Sequence, residues 1–196
     1  MNTIIVPTDF SKNANNALTF AIAIAKKNES KIVVLHTNHY DMVPSTIPPE
    51  LELEQFNQLQ KDTKGKLLEI QKEVLAKGVD CKIALEIGPL NDVLDEISSR
   101  KRAKLIVMGT QGASGLKETF LGSNTGNAIN HTKTPILAIP ESYSFNDFEK
   151  VVFTTNYERR SAMDFKHLVQ MIELFRSNIK ILHIANGDLS LSLIHI

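Results

Sequence analysis

The chemistry this chain can do is concentrated in Gly109-Thr110-Gln111-Gly112, followed by nine residues and then Gly122-Ser123. Glycines let main chain approach a bound group closely and let successive N–H groups converge on one concavity. Gly122-Ser123 opens a segment that reads as a helix to His131. The unsatisfied N–H groups and positive dipole end of a helix start attract anions, and the Ser123 hydroxyl adds a donor. The run therefore points to phosphate binding. It is not a Walker A loop, because no Gly stands five residues before a Gly-Lys-Ser/Thr, and it is not G-x-G-x-x-G. The competing reading is a chain reversal with Ser123 as an ordinary N-cap. Turn chemistry alone does not demand a second glycine pair at the far end of a nine-residue excursion.

Other reactive side chains have plainer explanations. Lys117, inside the excursion, reads as a solvated loop lysine, with approach to a phosphate as the alternative. His36 and His39 are three apart on a strand and its exit, so they point to different faces and no metal site is expected of them. Cys81 reads as a small core residue. Being the sole cysteine, it excludes an intramolecular disulfide and a thiolate metal cluster. Arg100-Lys101-Arg102 and Lys104 suit a helix end and a solvated turn. Around the glycine run there is no Walker-type Lys, no paired acids and no Arg placed to accelerate phosphoryl transfer.

The elements that must position this run follow from apolar periodicity. Ile4-Ile5-Val6, ended by Pro7-Thr8-Asp9-Phe10-Ser11, reads as a buried parallel strand entering a loop, with Ser11 as N-cap. Ala14, Ala17, Leu18, Ala21, Ile22 and Ala25 then recur at helical spacing. Lys31 to Thr37 is a second strand, Val43 to Pro49 a loop, and from Glu50 a long amphipathic helix runs to Gly78. Strand three is placed at Val79 to Ile87, a short helix at Asn91 to Ser99, and strand four at Lys104 to Met108. After the helix from Ser123, Thr134 to Pro140 is a fifth strand whose two prolines suit a sheet edge. Strict β-α alternation predicts an α/β fold with an open five-stranded parallel sheet and helices on both faces. Ligands of such sheets sit beyond the strand C-termini, near the switch in strand order.

Composition agrees with a folded core. The 196 residues include 42% hydrophobic types, and 22 Lys+Arg balance 22 Asp+Glu, so the formal net charge is zero. That excludes a polyanion-binding surface over the whole molecule, and no nucleic-acid partner is expected. No run approaches the roughly 18 apolar residues that span a bilayer, and Met1-Asn2-Thr3-Ile4 lacks a basic leader segment. A cytoplasmic protein with no membrane partner is the expectation.

An internal repeat follows. Ile4-Ile5-Val6-Pro7-Thr8-Asp9 lines up with Val151-Val152-Phe153-Thr154-Thr155-Asn156, and Leu35-His36 with Leu182-His183, both at one offset of 147 residues. Between them Ala162, Phe165, Leu168, Val169, Ile172 and Phe175 mark the inward face of a returning helix. The expected organisation is residues 1–142 as a complete unit, 143–190 as a truncated β-α-β second copy, and 191–196 as a non-native tail. The tail, Leu191-Ser192-Leu193-Ile194-His195-Ile196, resembles a translated transposon end, with a genuine apolar strand as the alternative. The second copy carries Asn156 in place of Asp9, and no nucleotide site is expected there.

With Pro7-Thr8-Asp9 after strand one, Leu35-His36-Thr37 on strand two and the spacing Gly109-x2-Gly112-x9-Gly122-Ser123, the chain resembles the ATP-binding branch of the universal stress protein family over Asn2 to Pro140. The shifted second copy resembles that family's tandem members. The resemblance implies a Rossmann-like, adenine nucleotide alpha hydrolase-like fold. It implies a site lined by Pro7, Thr8 and Asp9, with Asp9 bordering ribose and phosphates and Thr37 main chain at the adenine edge. Met108 and Gly109 would line the nucleoside pocket, and Gly112, Gly122, Ser123 and Asn124 would hold the phosphates. ATP or another adenine nucleotide is the implied ligand, with Mg²⁺ held by phosphate oxygens and water and Asp9 as an outer partner. Gln111 departs from a frequent basic residue, Asn124 from an aliphatic one, and Gly126-Asn127 from an acidic one.

The implied function is an ATP-binding regulatory protein of the stress response acting as a nucleotide-dependent switch, at most with slow hydrolysis or autophosphorylation at Ser114, Thr119, Ser123 or Thr125. The rivals are an ATP-using enzyme of the adenine nucleotide alpha hydrolase-like superfamily, whose S-G-G-x-D-S-like loop is missing after strand one, and a nucleotide-free interaction module. A homodimer through the open edge of the fifth strand is expected, with a further protein partner unidentified.

Overall fold

β-branched and apolar runs too short for helices form five strands: β1 (Thr3–Pro7), β2 (Lys31–Asn38), β3 (Cys81–Ile87), β4 (Ala103–Gly109) and β5 (Ile136–Ile139). All pair in parallel, in the order β3-β2-β1-β4-β5. The structure, a computed structural model, describes residues 2–38, 48–110, 122–145, 148–155, 168–169, 177–183 and 192–195. The helices between the strands are α1 (Lys12–Asn28), α2 (Pro49–Ala76), α3 (Leu90–Lys101) and α4 (Ser123–His131).

Local chemistry sets their limits. Ser11 Oγ caps α1 by accepting from Ala14 N at 3.2 Å. Strand three starts at Cys81, later than the expected Val79, because Val79 N still donates to Val74 O at the end of α2. Gly78, at φ +80°, supplies the left-handed turn there. The fifth strand keeps only Ile136–Ile139, bounded by Pro135 and Pro140, and lies at the sheet edge as its prolines predicted. α4 starts where expected, although Gly122 and not Ser123 is its N-cap.

Strand alternation divides the core between two faces. Ile5, Val33, Leu35, Ile106 and Met108 pack with Leu94 and Ile97 of α3 and Ala128 of α4. Their neighbours Ile4, Val6, Ile32, Val34 and Val107 point the other way and are equally buried, on the side served by α1 and α2. β1 is buried at all five residues because it has a strand on either side and helices over both faces.

The chain divides into two compact units, Met1–Ser144 and Phe145–Ile196. The second holds a separate sheet of β6 (Lys150–Thr155), β7 (Asn178–His183) and β8 (Ser192–His195), in that order. β6 and β7 are parallel, from Lys150↔Asn178 to Thr155↔His183. β8, within the hexapeptide that interrupts the repeat, pairs antiparallel with β7. Leu168 and Val169 are helical and half-buried. Asn156, Ala162, Phe165, Ile172 and Phe175 lie outside the described residues.

Candidate functional site

The chain runs from β1 outward to β2 and β3, then returns to place β4 on the other side of β1. Beyond the strand C-termini this reversal leaves a crevice between diverging connections. A cavity of about 490 Å³ lies there, inside the range of roughly 300–1,000 Å³ usual for small-molecule sites.

The loop after β1 forms one wall. Thr8 N donates to Leu35 O at 2.8 Å, extending the β1–β2 ladder by one residue. Thr8 Oγ1 then accepts from Phe10 N, and Asp9 Oδ1 from Ser11 N, both at 3.0 Å. These two side-chain turns, followed by the Ser11 cap, hold Phe10 at φ +63°, a left-handed conformation unusual for a bulky residue. His36 braces the loop from β2. Its Nδ1 donates to Thr8 O at 2.7 Å, and its Nε2 lies 3.0 Å from Asn38 Oδ1. Its ring stacks on Phe10 with centroids 4.8 Å apart.

The opposite wall is the end of β4 with the start of α4. Gly122 N donates to Thr110 O at 2.6 Å, tying the far end of the glycine excursion back to its origin. Thr125 Oγ1 donates to Gly109 O at 2.7 Å. α4 has no side-chain cap and no acidic residue in its first turn. The start of α4, with its leading N–H groups and positive dipole end, therefore lines the cavity at Gly122, Ser123 and Asn124. Asp9 is the one carboxylate among the described lining residues.

Of the residues expected at the site, Pro7, Thr8, Asp9, Thr37, Met108, Gly109, Gly122, Ser123 and Asn124 all line this cavity. Gly112, with Gln111, Ser114, Lys117 and Thr119, lies outside the described residues. Thr125 also lines the cavity but is 3% exposed, and its hydroxyl is already committed to Gly109, so it is not an open phosphoacceptor. Two wall elements escape the sequence reading. Neither His36 nor Gly88, Pro89, Leu90 and Asn91 is among the expected site residues, yet all line the cavity. The usable signal is position: both sit at the C-terminal end of a predicted parallel strand. Gly88, at φ +134°, donates from N to Asn38 O at 3.0 Å and turns this segment back toward the cleft.

Cys81 lies away from the cleft, 2% exposed on β3. Burial, with the Asp80 carboxylate adding to it, pushes its thiol up from 9.0 to about 11, as expected of an inert core cysteine. No helix among the described residues is long and apolar enough to cross a membrane.

Fold and cleft together define a protein of the open α/β class, with an anion-attracting helix start at the switch in strand order. A model of the universal stress protein family matches residues 1–140, and the chain belongs to that family. It is 32% identical over 140 residues to the universal stress protein MJ0531 of Methanocaldococcus jannaschii, covering 69% of this chain and 80% of that one. The solved structure of MJ0577 from the same organism superposes with a TM-score of 0.65 at 30% identity, covering 73% of this chain and 98% of that one. A universal stress protein solved in complex with cAMP shares the fold, with a TM-score of 0.55 at 23% identity over 72% of this chain and 98% of that one.

Proposed function

We propose that the cleft binds an adenine nucleotide and that the chain is an ATP-binding regulatory protein of the stress response. The observation that carries this reading is the uncapped start of α4 facing a cavity of about 490 Å³ at the ends of β1, β2 and β4. Gly122, Ser123 and Asn124 would take the phosphates, joined by Gly112. Asp9 would stand near ribose and phosphates, Thr37 main chain at the adenine edge, and Met108 and Gly109 along the nucleoside. The relative solved with cAMP supports the choice of an adenine nucleotide. Mg²⁺ would enter with the phosphates, held by their oxygens and water.

Nucleotide acts as a switch in this reading by binding one arrangement of the segment 109–122 better than another. The edge strand β5 is the element through which two copies would pair. Light scattering that gives a monomer at all accessible concentrations would remove that part.

The test is Mg-ATP titration with thermal unfolding, together with analysis of nucleotide extracted from purified protein. Ligand at about 100 times Kd stabilises by about 2.7 kcal/mol. An upward shift with intact bound ATP, and slower hydrogen exchange over 109–122, is the expected result. Rapid release of AMP and pyrophosphate would make the chain an ATP-using enzyme, and no shift at millimolar ATP would make it a nucleotide-free module.

A further inference from the structure

Gly109 has two neighbours that the family's glycine spacing does not contain. Its carbonyl is held by Thr125 from the first turn of α4, as described above. On another side lies Asn13, in the first turn of α1 and only 3% exposed. A Cβ placed on Gly109 would stand 2.6 Å from Asn13 Cγ and 2.7 Å from both Nδ2 and Oδ1. Real Cβ atoms do not approach that closely, so the whole carboxamide occupies the space a side chain at 109 would need.

Two further facts separate this from the usual reasons for a glycine. The only described glycines at positive φ are Gly78 and Gly88, whereas Gly109 ends strand β4, so its conformation does not require glycine. Gly109 and Ala14 line the cleft but Asn13 does not, so a side chain at 109 would run into the buried amide.

We propose that Asn13 is a positioning residue for the anion-binding turn: its buried carboxamide, packed on Gly109, is what makes glycine obligatory there, and it sets where β4 ends relative to α4. The inference rests on the proposed nucleotide site only for its consequence in binding. Any displacement of Gly109 is passed to Thr125 through the Gly109 carbonyl, and so to the N–H groups that start α4. Asn13 touches no ligand in this scheme and acts through Gly109.

A double-mutant cycle on the full chain tests it, with the Kd for Mg-ATP measured well below the unfolding midpoint and the midpoint itself as the second readout. Gly109→Ala should weaken ATP by about tenfold or more and lower the midpoint by several degrees. In an Asn13→Ala background the same change should cost no more than about twofold, because the new methyl enters vacated space. Asn13→Asp keeps the volume and should give no such relief. Equal penalties for Gly109→Ala in the parent chain and in the Asn13→Ala background would overturn the inference, because the space would then be required by the ligand. Should Gly109→Ala not fold, recovery of soluble protein in the double variant supports the packing relation, and failure of both overturns it. Absence of ATP binding by the parent chain would sink the proposed function alone, since the midpoint cycle reads the Asn13–Gly109 relation without nucleotide.

Discussion

β1 and β6 each pair in parallel with the strand that follows, at the same sequence spacing, yet they end in different surroundings. Thr3 pairs with Lys31 and Lys150 with Asn178, each partner following 28 residues later. Even the hydrogen bond that starts the ladder recurs, from Lys31 N to Asn2 O at 2.9 Å and from Asn178 N to Glu149 O at 2.8 Å. Ile5 is nevertheless 0% exposed and its equivalent, Val152, is 57% exposed. In the first unit β4 takes the other side of β1, and Leu94, Ile97 and Ile106 close over Ile5. In the second, among the described residues, β6 pairs with β7 alone, and β7 has the antiparallel β8 where β2 has the parallel β3. Strand pairing is thus written locally in the βαβ segment, whereas burial and the cleft depend on elements that follow it.

The largest expected effect probes that difference directly. Ile5→Ala should cost about 2–5 kcal/mol, the range for emptying a core site, whereas Val152→Ala should stay within about 0.5 kcal/mol. Hydrogen-exchange mass spectrometry resolves peptides from each unit, so the two losses can be assigned separately. A Val152→Ala penalty as large as that of Ile5→Ala would mean that the second sheet is covered in solution, and the contrast would fail. Next in size is Gly88→Ala, in a turn belonging to β3 and α3, for which the second unit has no described counterpart. Its added Cβ would meet Val93 Cγ2 at an ordinary 3.5 Å, so the cost comes from holding alanine at φ +134°. About 1–3 kcal/mol is expected, confined to exchange in the first unit and accompanied by weaker ATP binding as the cleft wall moves.

How far the site can be read in advance follows the same division. Gly109, Gly122 and Ser123 are legible by their spacing, and Asp9, Thr37 and Gly109 by falling at the C-terminal ends of neighbouring strands, whereas Pro7, Thr8, Met108 and Asn124 enter through the family resemblance. The parallel sheet and its edge prolines are legible too, because period and punctuation are local signals. Asn13 is not, since an asparagine early in an amphipathic helix reads as solvated, and its packing against position 109 is a tertiary contact. Without that partner in view, Gly109 reads as a glycine kept for ligand approach. Thr125 reads as a possible phosphoacceptor because nothing near it in sequence reveals the Gly109 carbonyl. Gly88 joins the site through Asn38 O, a contact fixed by the β2–β3 register, in which Asn38 faces Ile87.

The connection leaving the first unit gives a smaller effect. Asn16 Nδ2 donates to Pro140 O at 3.2 Å and to Tyr143 O at 2.8 Å, and the Tyr143 ring lies 5.9 Å from that of Phe20. Limited proteolysis of this connection should therefore begin beyond Tyr143. Asn16→Ala removes two solvent-accessible bonds, should cost about 0.5–1 kcal/mol, and should open new cleavage at Glu141 to Tyr143. An unchanged cleavage map would show that the ring contact alone anchors the segment.

The smallest effect at neutral pH comes from Cys81, and it sharpens the comparison because the second unit has no thiol. The folded chain holds the thiol proton up to about pH 11, whereas an unfolded chain releases it from about 9.0. Below pH 9 the two states carry the same proton and Cys81 adds no pH dependence. Between pH 9 and 11 the unfolded state binds fewer protons, so stability falls with rising pH, by roughly 2–3 kcal/mol in all. Cys81→Ala should flatten that part of the stability–pH curve and leave the neutral region's slope unchanged. At pH 8 the same thiol reports opening of the first unit alone. Its labelling by a thiol reagent should accelerate in Ile5→Ala in proportion to the stability lost, and stay at the parent rate in Val152→Ala. Equal acceleration in both variants would mean that the two units open together, and that the bare face of β6 is coupled to the core around β1.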